Sequence, residues 1–134
     1  MNQKKTDFPQ RCRLQDAGSY NQIFKRPNRS VDEFFTVLWR CNRLEYGRLG
    51  LAIAKKNVKR AVDRNSVKRV IRESYRHQRF CLNGIDIVVL SRRGLPLHDK
   101  KRLRESLDWH WSQVAGKIRT DIAGRFVRSE IFHG

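Results

Sequence analysis

Basic side chains dominate the stretch of chain between positions 55 and 79. Its twenty-five residues include ten lysines or arginines against two acids, Asp63 and Glu73. Placed at about 100° per residue on a helix, the stretch separates into two faces. The mostly apolar face holds Val67, Val70, Ile71, Ser74 and Tyr75. The other face, called the basic arc below, holds Arg64, Asn65, Lys68, Arg69, Arg72, Arg76 and Arg79. Such a helix has one face for a protein core and one for a large anion.

The basic arc repeats the same charge at intervals of one helical turn. The like-charge pairs are Arg64 with Lys68, Lys68 with Arg72, and Arg72 with Arg76. Each such pair destabilises a helix slightly, whereas bound phosphates would neutralise the repulsion. The arc therefore predicts binding to the phosphates of a nucleic acid. Asn65 adds a group that can bond a phosphate, a 2′-hydroxyl or a base edge.

Three further cations precede this helix. Lys55 and Lys56 directly follow a predicted strand, and Arg60 lies just before the helical pattern. The rim of a sheet beside a helix N-terminus suits contact with phosphate, and an ordinary charged sheet edge is the alternative. We predict that all three belong to the same nucleic-acid surface.

The whole chain carries an excess of positive charge. Its 134 residues include thirty Lys or Arg and thirteen Asp or Glu, a formal net charge of +17. This balance indicates a nucleic acid or an anionic membrane as partner. No apolar run approaches the ~18 residues of a membrane span, and no apolar segment follows the basic N-terminal residues. We expect nucleic acid and no membrane, because the charge is spread along the chain instead of lying opposite a broad apolar face.

The cysteines and the remaining polar residues show no recognisable chemical centre. Cys12, Cys41 and Cys81 are odd in number and far apart, which argues against a disulfide framework or a zinc site and fits the reducing cytoplasm. No Ser/His/Asp set, paired carboxylates or Gly-rich phosphate loop stands out. Asp86 begins a predicted strand and is interpreted as a strand-edge acid. We predict no catalytic residue and no metal site on the protein.

Periodicity predicts an α+β protein with the order helix–strand–strand–helix–strand–helix. A short helix ends before Pro27, and strands cover residues 31–40, 48–54 and 85–91. The second strand is expected to run antiparallel to the first, and the basic helix joins the second and third strands as a βαβ unit. The prediction is a two-layer α/β sandwich with a small mixed sheet of three to four strands.

A final helix is predicted to begin after Asp99, its N-cap. Trp109 falls off its apolar stripe and is expected to be exposed, and no element is predicted after Arg119. The stripe, which should pack on the sheet, consists of Leu103, Leu107, Trp111, Val114 and Ile118.

Aromatic residues of the first helix and first strand have two interpretations. Tyr20, Phe24, Phe34 and Phe35 suit a core, as most regularly spaced aromatics do. They also suit stacking against a single-stranded nucleic acid in a basic groove. The sequence leaves both open, because residues 31–40 carry apolar groups on both faces.

Several ordered motifs closely resemble the bacterial ribonuclease P protein subunit. Residues 48–76 read RLGLAIAKKNVKRAVDRNSVKRVIRESYR, and the family signature runs from RLG and KK to a helix carrying RNR, KR and RES-F/Y-R. Leu14, Tyr20 and Phe24 resemble the family's N-terminal helix, and residues 86–94 resemble its D-VV-ARKG strand and turn. The likeness covers about residues 12–118, which we take as the core of a single domain, 1–134, with flexible or loosely packed ends at 1–11 and 119–134.

The resemblance implies both a fold and a role. The implied fold contains a left-handed βαβ crossover, against the usual right-handed rule. The implied subunit is cytoplasmic and needs no obligatory protein partner. It binds the catalytic RNA of ribonuclease P, which removes the 5′ leader of precursor tRNA with Mg²⁺ that the RNA uses. The basic helix is then the face for the catalytic RNA. The leader lies in a cleft whose residues correspond here to Tyr20, Phe24, Phe35, Thr36 and Leu38.

One position departs from the family pattern. Where the family has RNR, this chain has Arg64-Asn65-Ser66. Ser66 falls at the edge of the basic arc, beside Glu73 and His77, so we expect one phosphate contact to be lost and the main stripe to stay whole.

On the residues alone, two other functions stay open. A ribosomal or other structural RNA-binding protein would carry the same charge and fold class. A DNA-binding module would place the basic helix in a major groove. The ordered motifs and the aromatic first strand favour the ribonuclease P role over both.

Overall fold

The computed structural model describes residues 12–14 and 17–133, and for residues 17 and 120–133 it describes the backbone alone. The predicted N-terminal segment 1–11 lies outside the described residues. The elements are α1 (Ala17–Lys25), β1 (Asn28–Val31), β2 (Phe35–Cys41), β3 (Arg48–Ala52), α2 (Ala61–Gln78), a 3-10 turn (Arg79–Leu82), β4 (Ile85–Ser91) and α3 (Lys100–His133). The α+β class and the order of the main elements are as predicted.

The four strands form one mixed sheet in the order β1-β2-β4-β3. β4 pairs antiparallel with β2 and parallel with β3, so β3, α2 and β4 form the predicted βαβ unit. β3 runs antiparallel to β2, as its connection indicates, but the two are not neighbours because β4 lies between them. Almost every side chain of β4 is buried, as expected for a strand covered on both faces. The handedness of the crossover stays a prediction.

The single strand predicted at residues 31–40 is wrong at its start. Val31 ends β1, and β2 begins at Phe35 after a turn. The Oδ1 atom of Asp32 accepts hydrogen bonds from the backbone N–H groups of Phe34 (3.0 Å) and Phe35 (2.9 Å). An aspartate that bonds backbone groups two and three residues ahead favours a turn over a continuous strand. The result is a fourth strand, β1, which pairs antiparallel with β2.

The main core lies between the sheet and the helices α2 and α3. Trp111 of α3 packs edge-on against Tyr75 of α2, with ring centroids 5.8 Å apart, and its Nε1 donates to Ser74 Oγ at 2.8 Å. Asp99 caps α3, accepting at 3.2 Å from the backbone N–H of Arg102. The predicted stripe of α3 is confirmed, with Ile118 at its end only partly buried. Trp109 is 45% exposed, also as predicted.

Two further features of the fold concern α1 and the end of α3. α1 covers part of the opposite sheet face, where a smaller cluster forms from Leu14, Ile23, Leu38 and Val88. The expectation of no element after Arg119 is wrong, because the backbone of α3 continues to His133. No proline interrupts residues 100–133, so nothing in that segment forces the helix to stop.

A buried polar cluster ties the turn after β1 to α3. His110 is completely buried, with Nδ1 2.8 Å from Ser30 Oγ and Nε2 3.0 Å from Asp32 Oδ1. Ser106 donates to the other oxygen of Asp32. Burial alone would raise the pKa of Asp32, but the bonds from Ser106, the Phe35 and Phe34 backbone and His110 together lower it. The sequence gives no spacing signal for this cluster, whose enclosed serine and imidazole brace the fold.

The cluster predicts that acidification destabilises the protein. Burial lowers the pKa of His110, although Asp32 opposes the shift. Below a pH of about 6.5 an unfolded histidine binds a proton that the folded His110 does not. The free energy of unfolding, measured by urea denaturation, should therefore fall as pH is lowered from 7 to 5. The fall should be smaller in His110→Asn.

Equal pH dependence of the two proteins would contradict this role for His110. The other histidines are unchanged in the variant, so they serve as an internal control. Titration of the His110 ring by NMR in the unaltered protein provides a second check, and it should show a pKa below the ordinary value for histidine.

Candidate nucleic-acid interface

The rotation of α2 places the basic arc on the outside of the molecule. Val67, Ile71, Ser74 and Tyr75 are all buried on the inner side, as the helical pattern predicts. Asn65 and Arg69 are exposed, and the arc members beside them are half-buried. The half-buried members are Arg64, Lys68, Arg72, Arg76 and Arg79. The structure therefore brings the predicted arc together as one continuous surface.

Three of the predicted contact residues also have partners within the protein. Arg64 Nη1 donates to the carbonyl oxygens of Val58 (3.0 Å) and Lys59 (2.8 Å), which braces the turn before α2. Arg76 pairs with Glu73, which also lies 3.3 Å from His77. Arg60 Nε is 3.9 Å from Asp63, at a largely exposed position. These residues therefore stabilise the fold and also contribute positive charge to the surface.

Some other members of the arc have no acidic partner among the described residues that would offset their charge. Within the described ranges, neither Lys68 nor Arg69 has an acidic group within ion-pair distance. Burial lowers the pKa of Arg72, nearby Arg13 lowers it further, and Tyr20 opposes both effects.

Arg13 adjoins the edge of β3, where the backbone N–H of Leu14 donates to Leu49 O at 2.8 Å. Sequence reasoning missed Arg13, because its place beside Arg72 depends on that long-range pairing.

The basic rim of the sheet contains more residues than were predicted. Lys55 and Lys56 follow β3, while Arg92 and Arg93 follow β4, and all four are exposed. Because β3 and β4 are parallel neighbours, their carboxyl ends meet at one edge. The turn that carries the lysines is fixed there, since Asn57 Nδ2 donates to Ser91 O at 2.9 Å. The sequence Arg-Arg-Gly directly after β4 could have indicated that Arg92 and Arg93 belong to this rim.

Tyr20 connects α1 to the edge strand β3. Its ring lies directly over Gly50, where a Cβ atom would come within 2.3 Å of the tyrosine hydroxyl. Burial raises the pKa of Tyr20, while a hydrogen bond with the Leu51 backbone and the charge of Arg72 lower it. Arg72, on α2 at the other face of the sheet, is therefore close enough to Tyr20 to affect its pKa. The aromatic surface of α1 and the basic arc of α2 meet at this strand.

Beside α1, one end of the sheet is left open. Thr36 pairs with Leu90 in the sheet register, and both are half-buried on the face that α1 covers only in part. Val31, opposite Thr36, is 40% exposed, and Phe24 of α1 is 47% exposed. This open face combines apolar and aromatic groups next to the basic rim.

Two of the predicted cleft residues are enclosed instead. Phe35 is 0% exposed in the main core, on the sheet face opposite to Thr36, so it cannot line the same surface. Alternation along a strand puts neighbouring side chains on opposite faces, and Phe35 takes the face that packs in the main core. Leu38 lies on the same face as Thr36 but is buried beneath α1. Tyr20, Phe24 and Thr36 remain accessible on the open side.

Asp86 has a structural role, as its interpretation as a strand acid suggests. Arg48 grips its carboxylate with two bonds, Nε to Oδ1 at 2.8 Å and Nη2 to Oδ2 at 2.7 Å. Asn42 also donates to Oδ1, at 2.9 Å. The pair links β3 to β4 and to the loop after β2. Removing one partner of such a buried pair typically costs about 3–5 kcal/mol.

The described residues contain no group of three or more His, Cys, Asp or Glu side chains arranged to hold a metal ion. All three cysteines are free thiols, as their spacing predicts. Among the helices in the described part of the chain, none has the length and hydropathy needed to cross a membrane.

Comparisons with known proteins agree with the motifs. A family model described as Ribonuclease P matches residues 8–115. The ribonuclease P protein component of Nitrosococcus oceani is 44% identical over 108 residues, covering 81% of this chain and 91% of that protein. The same component of Chromohalobacter salexigens is 42% identical over 113 residues, covering 84% and 88%.

Solved structures show the same fold. The RNase P protein from Staphylococcus aureus aligns with a TM-score of 0.68 at 28% identity, covering 78% of this chain and 94% of that one. The RNase P protein from Thermotoga maritima aligns with a TM-score of 0.55 at 32% identity, covering 81% and 92%. The sequence comparisons and the structure comparisons therefore both match this chain to ribonuclease P proteins.

Proposed function

The chain belongs to the ribonuclease P protein family, and we propose that it is the RNA-binding subunit that assists the catalytic RNA in removing the 5′ leader of precursor tRNA. The observation that carries this proposal is the meeting of two unlike surfaces at β3. One is the basic arc of α2, and the other is the open sheet face with Tyr20, Phe24 and Thr36. A protein that holds two RNAs at once needs two such surfaces.

The basic arc is the proposed face for the catalytic RNA. Lys68 and Arg69 carry charges that no acid of the described ranges offsets, and Asn65 lies exposed between them and the helix start. Lys55, Lys56 and Arg60 extend this surface toward the rim. A folded RNA presents phosphates at many heights, and a long basic helix face can contact several of them together. Each contact releases counterions and adds affinity without reading sequence.

The open sheet face is the proposed site for the single-stranded leader. Unstacked bases bind to aromatic and apolar surfaces, and their phosphates to nearby cations. Phe24 offers an exposed ring, and Val31, Thr36 and Leu90 offer a shallow apolar floor. The rim residues Lys55, Lys56, Arg92 and Arg93 lie at the end of that floor. Phe35 has no part in this site, because it is buried on the other face.

The cleavage chemistry is assigned to the RNA. Mg²⁺ used by the RNA would activate the attacking water and stabilise the charge of the leaving oxygen. No three ligating side chains of the described residues are arranged for a metal, so no protein residue is assigned to it. The protein's own contribution is to hold the leader and to reduce repulsion between two polyanions. We place this activity in the cytoplasm.

Reconstitution tests the proposed function. The purified protein and the catalytic RNA from the same genome should together cleave precursor tRNA at a low Mg²⁺ concentration, where neither component alone is efficient. The lowered repulsion between the two RNAs is the physical reason. Accumulation of mature tRNA and free leader on a denaturing gel provides the measurement, with mature tRNA as the uncleaved control.

Two results would contradict the proposal in different ways. Cleavage by the protein without RNA would overturn the assignment of the chemistry to RNA. Binding of the catalytic RNA without any stimulation of cleavage would indicate a structural RNA-binding protein instead.

A second prediction concerns the charge of the basic arc. Arg69→Ala should weaken binding to the catalytic RNA and make the plot of log K against log[salt] shallower by about 0.7–0.9, equivalent to one phosphate contact. Arg104→Ala is the matched control, because Arg104 is also an exposed helix arginine but lies on α3, outside the arc. An unchanged slope for Arg69→Ala would mean that the arc is only solvated.

A further inference from the structure

Phe80 is a large aromatic residue that the fold leaves exposed. It lies on the 3-10 turn that follows α2, and its side chain is 59% exposed. Leu82, two residues later, is completely buried and anchors this turn in the main core. Single exposed apolar residues are common on proteins and need no explanation by themselves. The surroundings of Phe80 supply the further observations.

A positive charge, that of Arg79, lies beside the Phe80 ring. The guanidinium carbon of Arg79 lies 5.1 Å from the centroid of the Phe80 ring, a cation–π distance. Arg79 is the last member of the basic arc, so the exposed ring stands at the end of the proposed face for the catalytic RNA. An aromatic ring next to arginine in a basic surface is the arrangement on which proteins stack unpaired bases.

The second observation is a cavity next to the ring. It measures about 380 Å³. One wall belongs to the segment after α2, with Arg79, Phe80 and Asn83, and the other to the loop after β2, with Glu45 and Tyr46. This volume is within the usual range of small-ligand sites. Tyr46 is a second aromatic residue of the lining, and the Glu45 carboxylate and the Asn83 amide are groups that can bond base edges.

The two walls are held together by close backbone packing. Gly47 follows Tyr46, and a Cβ atom at this position would lie 2.4 Å from the carbonyl oxygen of Leu82 and 2.7 Å from the Tyr75 hydroxyl. The glycine therefore lets the loop after β2 approach the turn that carries Phe80. Any larger residue at Gly47 would force the walls of the cavity apart.

We propose that this cavity binds one unpaired base of the catalytic RNA, stacked on Phe80 beside Arg79. The proposal rests on the proposed function, in which the basic arc binds that RNA. A carboxylate in the wall disfavours a phosphate and favours a base with an exocyclic amino group, which donates to Glu45. A base in a duplex would offer no free ring face, so the base is one that the RNA leaves unpaired.

Substitution of Phe80 separates stacking from apolar contact. Phe80→Leu keeps an apolar side chain but removes the ring, and it should weaken binding to the catalytic RNA by about 5- to 100-fold, as lost stacking does. Phe80→Trp should bind like the unaltered protein. The salt slope should not change in Phe80→Leu, because no phosphate contact is lost. Trp109→Leu, at an exposed aromatic of α3, is the matched control and should have no effect.

Chemical probing locates the base. In the complex with the unaltered protein, one unpaired adenine or cytosine should be protected from dimethyl sulfate, or one unpaired guanine from kethoxal, although the same base reacts in free RNA. That reactivity should return with Phe80→Leu and stay low with Phe80→Trp. Unaltered affinity and probing of Phe80→Leu, or equal losses in Phe80→Leu and Phe80→Trp, would overturn the stacking proposal. If the unaltered protein does not bind the RNA, the proposed function itself fails.

Discussion

The rotation of α2 about its own axis is the constraint on which the rest of the structure depends. Val67, Ile71 and Tyr75 are buried against the sheet and α3, and Ser74 holds the indole of Trp111. Residues one turn apart share a face, so these contacts also determine which side chains point outward. A different rotation would bury cations of the basic arc, and an unpaired buried charge is strongly unfavourable. Packing in the core thus determines the position of the proposed nucleic-acid surface.

The position of β3 at the edge of the sheet brings the two proposed RNA sites together. Among the named strands of the described chain, β3 neighbours only β4, and it is flanked by α1 on one face and α2 on the other. Tyr20 reaches over Gly50 from the α1 side, and Arg72 approaches from the α2 side. An aromatic surface suited to bases and a basic surface suited to phosphates therefore share one rim. Substrate and catalytic RNA would be held within the width of a strand.

Local periodicity is enough to predict the helices as far as Arg119, but it does not show which side chains meet across the fold. The buried faces of α2 and α3 follow from a 3.6-residue repeat, and both were correctly assigned. Alternation in residues 31–40 shows two apolar faces but not which of them is the core, and the cleft position that the resemblance implies for Phe35 is wrong because this side chain lies in the main core. The contacts of His110 with Ser30 and Asp32 join residues far apart in sequence. Contacts of this kind follow no regular interval in the sequence, so a sequence pattern does not predict them.

Crosslinking can show whether opposite sides of β3 hold different RNAs. A benzophenone amino acid replacing Phe24 or Arg69 can be activated by light in the complex of protein, catalytic RNA and precursor tRNA. We expect crosslinks from position 24 to the 5′ leader and from position 69 to the catalytic RNA. Crosslinks from both positions to the same RNA, with none to the leader, would contradict the assignment of the two RNAs to opposite sides of β3.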